Sequence, residues 1–222
     1  MRLVWLIFKK DLKIEGRAFT RMFALISFGV LAILLFSFSV GPNSRLLQQH
    51  SPGYLWLAGL FASSMLFSQS FLIETESDAI ERLQLIPVST TALFYGKALA
   101  NTVQLLILMI AIFPPLVAIC DVTFVENPLW LVLTIILGAM GIAAPGALYA
   151  AMTARLSSQQ LVLPLLLFPL VVPALLASVK ATSLIFFGDL MNEMTSWLTL
   201  LGLFDLIYWS LCGVLFDKIV DS

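Results

Sequence analysis

Residues 128–153 read PLWLVLTIILGAMGIAAPGALYAAMT, apolar from end to end and without a charged side chain. At about 1.5 Å of rise per residue this stretch outreaches the roughly 30 Å hydrocarbon core of a bilayer, so it reads as a transmembrane helix. The sequence around it has the same character: 60% of the 222 residues are hydrophobic, 11% are charged and the mean hydropathy is +1.02. A surface facing water on all sides excludes that balance, and the chain must use lipid as its solvent. Its length leaves room for about six spans and for no separate soluble domain. A net charge of -1 gives no sign of nucleic-acid binding. The expected architecture is an all-α polytopic membrane protein, residues 1–222 forming one transmembrane domain with six transmembrane helices.

The spans are expected at about 22–40, 53–73, 92–119, 128–153, 161–179 and 197–216. Ahead of them, in residues 1–21, Leu3, Val4, Ile7, Phe8 and Leu12 recur at helical spacing, while Arg2, Lys9, Lys10 and Lys13 supply a cationic face. That pattern predicts an amphipathic helix lying in the headgroup layer. Gly41-Pro42-Asn43 ends the first span and hands over to a polar loop, Ser44 to Pro52. Pro114-Pro115 predicts a kink or break in the third span. Residues 180–196 are too polar to cross. Their stripe of Leu184, Phe187, Met191, Met194 and Leu198 reads as an interfacial helix or as a docking surface for another membrane subunit. Of the 12 Lys and Arg, all but Arg45 and Lys180 then fall on one side of the membrane. The positive-inside rule makes that side cytoplasmic and places both termini there.

The most informative polar segment is residues 74–87, Glu74 to Pro87, between the second and third spans on the cytoplasmic side. Thr75 and Asp78 have capping-box spacing, Asp78 and Arg82 form an i,i+4 pair, Ile80, Leu83 and Ile86 share a stripe, and Pro87 stops the run. It reads as a short amphipathic helix, either a headgroup-level linker or a docking element. Glu74, Glu76, Asp78 and Glu81 would be repelled by an anionic leaflet, which favours a protein partner. In the fourth span Ala139, Ala143, Ala147 and Ala151 recur every fourth residue among Gly138, Gly141 and Gly146, a face that lets another helix approach closely. The partner helix belongs to the same chain or to a second copy. Pro164, Pro169 and Pro173 remove backbone donors from the fifth span, which must find compensation in protein or bend around a water-lined space.

Other chemistry is sparse. Cys120 and Cys212 match no ligand or redox spacing, and no metal site is expected. His50 lies in the outer loop, where solvation is the plain reading and heme ligation the sharper one. No chain of carboxylates or lysines through the spans marks a proton relay, which disfavours an ion-coupled carrier. Gly96-Lys97-Ala98 lacks the earlier glycine and the following Ser or Thr of a phosphate loop, so no catalytic residue is expected and nucleotide hydrolysis is not expected of this chain.

Nearly the whole sequence resembles the CcmB family, heme exporter protein B. The resemblance rests on Phe8-Lys9-Lys10-Asp11-Leu12-Lys13-Ile14-Glu15, on Gly41-Pro42, on Pro52-Gly53-Tyr54-Leu55-Trp56, on Asp78 to Pro87 running to Lys97, and on the proline-rich run Leu163 to Pro173. Ala79 and Ile80 stand where the family has a Gly-Thr type of pair. The resemblance implies an ABC-2-like exporter membrane domain in the bacterial inner membrane. It makes the chain the permease subunit of the ATP-binding-cassette system for cytochrome c maturation. Residues 74–87 would be the coupling helix that docks on the ATP-binding subunit. Ile80, Leu83 and Leu85 would be its apolar contacts, Glu76, Asp78 and Glu81 its polar ones, and Pro87 its end. Implied partners are that ATP-binding subunit, a heme-handling membrane subunit, a small membrane subunit and a heme chaperone, with two copies of this chain per complex. ATP would be used through the partner, and heme would be the handled ligand. The alternatives are a lipid or polysaccharide exporter subunit and a non-transporting scaffold.

Overall fold

A computed structural model describes residues 2–17, 19–70, 90–122, 127–154, 156 and 158–220, and among these the chain forms seven helices and no strand. They are α1 (Arg2–Arg17), α2 (Phe19–Val40), α3 (Ser44–Ser70), α4 (Thr90–Cys120), α5 (Pro128–Thr153), α6 (Gln159–Phe187) and α7 (Met194–Val220). From α2 onward the helices run up and down through one bundle. Five of them, α2 and α4 to α7, are long and apolar enough to cross a membrane. The chain is thus a multi-pass membrane protein.

The expected second span is the one that differs. α3 starts at Ser44, so the anticipated loop Ser44 to Pro52 is helical, and its composition falls short of the other five. Local chemistry explains the helical start. The Asn43 side-chain oxygen accepts from the Leu46 N–H at 3.3 Å, capping the first turn. Pro52 has no N–H to offer the Gln48 carbonyl, and the Ser51 hydroxyl donates to that carbonyl instead, at 2.7 Å. Further along, Ser63, Ser64 and Ser68 donate to the carbonyls of Leu60, Phe61 and Met65 at 2.7, 2.7 and 2.9 Å. Those hydroxyls are satisfied within their own helix, which lets a less apolar helix sit among neighbours. With 27 residues, α3 is about 40 Å long. It packs against α2, α4, α5 and α6, burying Leu55, Trp56 and Phe67.

α5 is the most enclosed of the apolar helices, and its small residues are the reason. A Cβ on Gly138 would run into the Trp56 ring of α3 and, at 2.7 Å, the Ser178 hydroxyl of α6. On Gly141 it would meet the Asp205 carboxyl of α7 at 2.9 Å, and on Gly146 the Phe67 ring of α3. Three helices therefore approach α5 at glycines, a close contact that lipid cannot supply but dispersion rewards. Ala139, Ala143 and Ala147 are buried within the chain and Ala151 is half-buried.

Two further expectations change. α4 runs unbroken through Pro114-Pro115. The amphipathic segment 180–196 is not one helix: α6 continues to Phe187, Gly188 with φ +89° ends it, and α7 begins at Met194. The Asp189 carboxylate starts α7 by accepting from the N–H groups of Glu193 and Met194, each at 2.9 Å. The anticipated stripe is split by this turn. Met194 and Leu198 are buried, whereas Phe187 is 50% and Met191 81% exposed. Asp189→Ala is expected to cost about 1 kcal/mol and to speed amide exchange in the first turn of α7, leaving the rest of the bundle protected.

Candidate functional site

Glu76, Asp78, Ile80, Glu81, Leu83, Leu85 and Pro87 all lie outside the described residues. Described in detail are the two stems from which residues 71–89 hang, Ser70 at the end of α3 and Thr90 at the start of α4. Both are tied to other helices. The Ser70 hydroxyl donates to the Asn101 side-chain oxygen at 3.1 Å, and the Ser70 carbonyl accepts from Lys97 Nζ at 3.1 Å. Thr90 donates its hydroxyl to the Asp217 carboxylate near the end of α7. The stems thus join α3, α4 and α7 at one end of the bundle.

The same end holds α1. Its partly buried Val4, Ile7, Phe8, Asp11 and Leu12 turn inward and the helix lies along α4. Leu3, expected on the apolar face, is exposed with Trp5 and Leu6. Gly96 makes the approach possible: a Cβ there would lie 2.8 Å from Ile7 and 3.2 Å from the Val4 carbonyl. One residue on, Lys97 is only 2% exposed and its Nζ lies 3.5 Å from Asp11 Oδ2. A buried ammonium needs such a partner, because low dielectric penalises an isolated charge heavily. Lys97 therefore ties α1, α4 and the end of α3 into one polar knot, placed directly beside the stem of residues 71–89. Gly96-Lys97, dismissed by sequence as a phosphate loop, gains this structural role from the fold.

Aromatic packing stiffens the junction between α4 and α7. Tyr95 stacks on Trp209 with ring centres 6.2 Å apart, and Phe94 meets Phe216 at 5.5 Å. The Tyr95 hydroxyl donates to the Trp209 carbonyl at 3.3 Å, and Gly213 leaves room for it. A displacement of the α4 stem is therefore passed to α7 through interlocked side chains, which close packing transmits with little slack.

At the opposite end, the Gln48 side chain donates to the Asp121 carbonyl, joining the start of α3 to the end of α4. His50 is exposed there, with its ring 6.2 Å from Tyr54. Cys120 and Cys212 are buried and free. Among the described residues no group of three or more His, Cys, Asp or Glu could hold a metal ion.

The sequence reading passed over one polar residue. Asp205 interrupts the apolar run Leu203-Phe204-Asp205-Leu206-Ile207 near the middle of α7, and it is 5% exposed. An acidic residue in a span is a signal that sequence carries openly. Only the packing shows that this one turns into the bundle.

The arrangement has no array of nucleophile, base and oxyanion donors among the described residues. What it offers is mechanical: a polar knot and two tied stems that link α1, α3, α4 and α7 at one end of the bundle. The family described as "CcmB protein" matches residues 2–215. Heme exporter protein B of Haemophilus influenzae is 31% identical over 173 residues, covering 77% of this chain and 76% of that one. Heme exporter protein B of Rhodobacter capsulatus is 29% identical over 170 residues, 77% of this chain and 78% of that one. With nearly every helix of the bundle inside the match, this chain belongs to the CcmB protein family.

Proposed function

We propose that this chain is the membrane permease subunit of an ATP-binding-cassette complex for cytochrome c maturation. It sits in the bacterial inner membrane with both termini in the cytoplasm. The family match across residues 2–215 carries the reading. ATP hydrolysis resides in a partner subunit, and the chain converts closure of that partner into movement of its spans. Residues 74–87 dock on the partner as a coupling helix, with Ile80, Leu83 and Leu85 as apolar contacts and Glu76, Asp78 and Glu81 as polar ones. The tied stems at Ser70 and Thr90 give that movement a path into α3, α4 and α7. The outcome is heme export or release of a heme-loaded chaperone, with heme as cargo. Two copies assemble with the ATP-binding subunit, a heme-handling membrane subunit and a small membrane subunit.

The test is mass spectrometry of proteins that co-purify with the tagged chain from native membranes in mild detergent. An ATP-binding subunit together with a heme-binding membrane subunit is the expected result. An ATP-binding subunit alone points to a lipid or polysaccharide exporter, and neither leaves only the membrane topology standing. Leu83→Glu places a charge on the docking stripe and is expected to lower recovery of the ATP-binding subunit at least tenfold while membrane insertion is unchanged, a loss of about 1.4 kcal/mol or more. Undiminished co-purification removes residues 74–87 as the docking element.

A further inference from the structure

Both carboxyl oxygens of Asp205 are buried and lack a hydrogen-bond partner. An ionised carboxylate accepts only, and among the described residues nothing donates to it. The helices packed against α7 are α4, α5 and α6. Their titratable groups are Tyr95, Lys97 and Cys120 of α4, Tyr149 of α5 and Lys180 of α6, and none hydrogen-bonds to the Asp205 carboxyl. On α7 itself Tyr208, Cys212, Asp217 and Lys218 are likewise not partners.

The wall facing the carboxyl offers a second acceptor instead of a donor. Asp205 Oδ1 lies against Gly141, whose missing side chain exposes the α5 backbone at that turn; a Cβ there would be 2.9 Å away. Four residues on, Pro145 lies inside α5. Proline has no N–H, so the Gly141 carbonyl loses the donor that an α-helix ordinarily gives it. An acceptor without its donor and a carboxyl without a partner therefore share one turn of the α5–α7 seam. A proton on the carboxyl makes it a donor, the kind of group that a carbonyl short of its helical N–H can accept from. On the next turn the Ser178 hydroxyl of α6, facing Gly138, is also buried without a partner.

We propose that Asp205 is an intramembrane proton-binding site, carrying its proton while the α5–α7 seam is closed and sharing it with the Gly141 carbonyl. The Phe204 ring stands beside the same glycine, 3.6 Å from where a Gly141 Cβ would lie, and lines the α6–α7 groove with Pro173, Thr199, Leu200 and Leu203. The proton leaves only when the seam parts and water reaches the acid.

Infrared spectroscopy of the full chain in lipid nanodiscs tests this at about pH 7, where ordinary carboxyl groups are ionised. The wild-type spectrum is expected to contain the carbonyl stretch of a protonated carboxylic acid, and Asp205→Asn, which keeps the shape, is expected to lose it entirely. Pro145→Ala returns an N–H to the Gly141 carbonyl and is expected to shift the acid band to higher frequency without removing it. A wild-type spectrum with carboxylate bands alone, or an acid band that survives Asp205→Asn, overturns the proton site. An unshifted band in Pro145→Ala overturns the Gly141 acceptor. Absence of the acid band from the wild-type spectrum overturns the proton site even if a variant does not fold.

Discussion

Gly138→Val is expected to lower the melting temperature of the detergent-solubilised chain by about 10 °C, a destabilisation of about 3 kcal/mol. The Cβ alone would overlap the Trp56 ring and press on the Ser178 hydroxyl, and valine adds two methyl groups to a space already filled. Trp56 has little freedom to yield. It is buried on α3, and its indole N–H donates to the Thr182 hydroxyl of α6 at 2.9 Å. Moving the ring therefore parts α3 from α5 and breaks a hydrogen bond in surroundings where water cannot replace it. Trp56→Leu in the valine background makes room and is expected to recover about half the loss, although Trp56→Leu alone destabilises. That non-additivity, read from thermal melts of all four proteins, distinguishes a clash at this ring from a general intolerance of α5 to β-branched residues. Melting temperatures that simply add contradict the assignment.

Lys97→Met is expected to cost about 3 kcal/mol and to release α1 from α4. The substitution keeps most of the side-chain length but removes the charge facing Asp11 and the donor to the Ser70 carbonyl. Asp11 retains only the weaker, more solvated approach of Lys10 at 3.6 Å. Amide exchange within α1 should rise at least tenfold while α5 stays protected, and the double variant Asp11→Asn, Lys97→Met should regain much of the protection, since a neutral pair leaves no charge buried. Because Ser70 is the stem of residues 71–89, the single variant is also expected to weaken coupling between an ATP-binding subunit and the spans, seen as ATP hydrolysis that no longer responds to the membrane subunit. Unchanged exchange in α1 would show that Ile7 and Val4 against Gly96 suffice to hold it.

Much of the architecture was legible because lipid leaves so few options. Runs such as Pro128 to Thr153 must be helical, since every backbone group has to find its partner within the segment. The turn at Gly41-Pro42-Asn43 was legible too, as glycine permits φ +78°. The Ser44 to Pro52 helix was not. Asn43, Ser44 and Ser51 read equally well as a loop, because the same short polar side chains bond the local backbone in turns and at helix starts. Residues 180–196 misled for a similar reason: a stripe at helical spacing marks a possible face, and Gly188 with Asp189 cut it by local turn chemistry.

Sequence by itself determined the solvent and the helical class, because both follow from composition and periodicity, and its motifs carried the resemblance to the family that the match across residues 2–215 shows. Tertiary structure decided which polar residues matter. Lys97 reads as one interfacial cation among several and Asp205 as one acid in a long apolar run, and neither spacing names a partner. Asp11 is far from Lys97 along the chain, as Gly141 is from Asp205, and only the folded bundle brings each pair within a few ångströms. In a low dielectric, that proximity decides whether a charge is paired, neutralised or excluded.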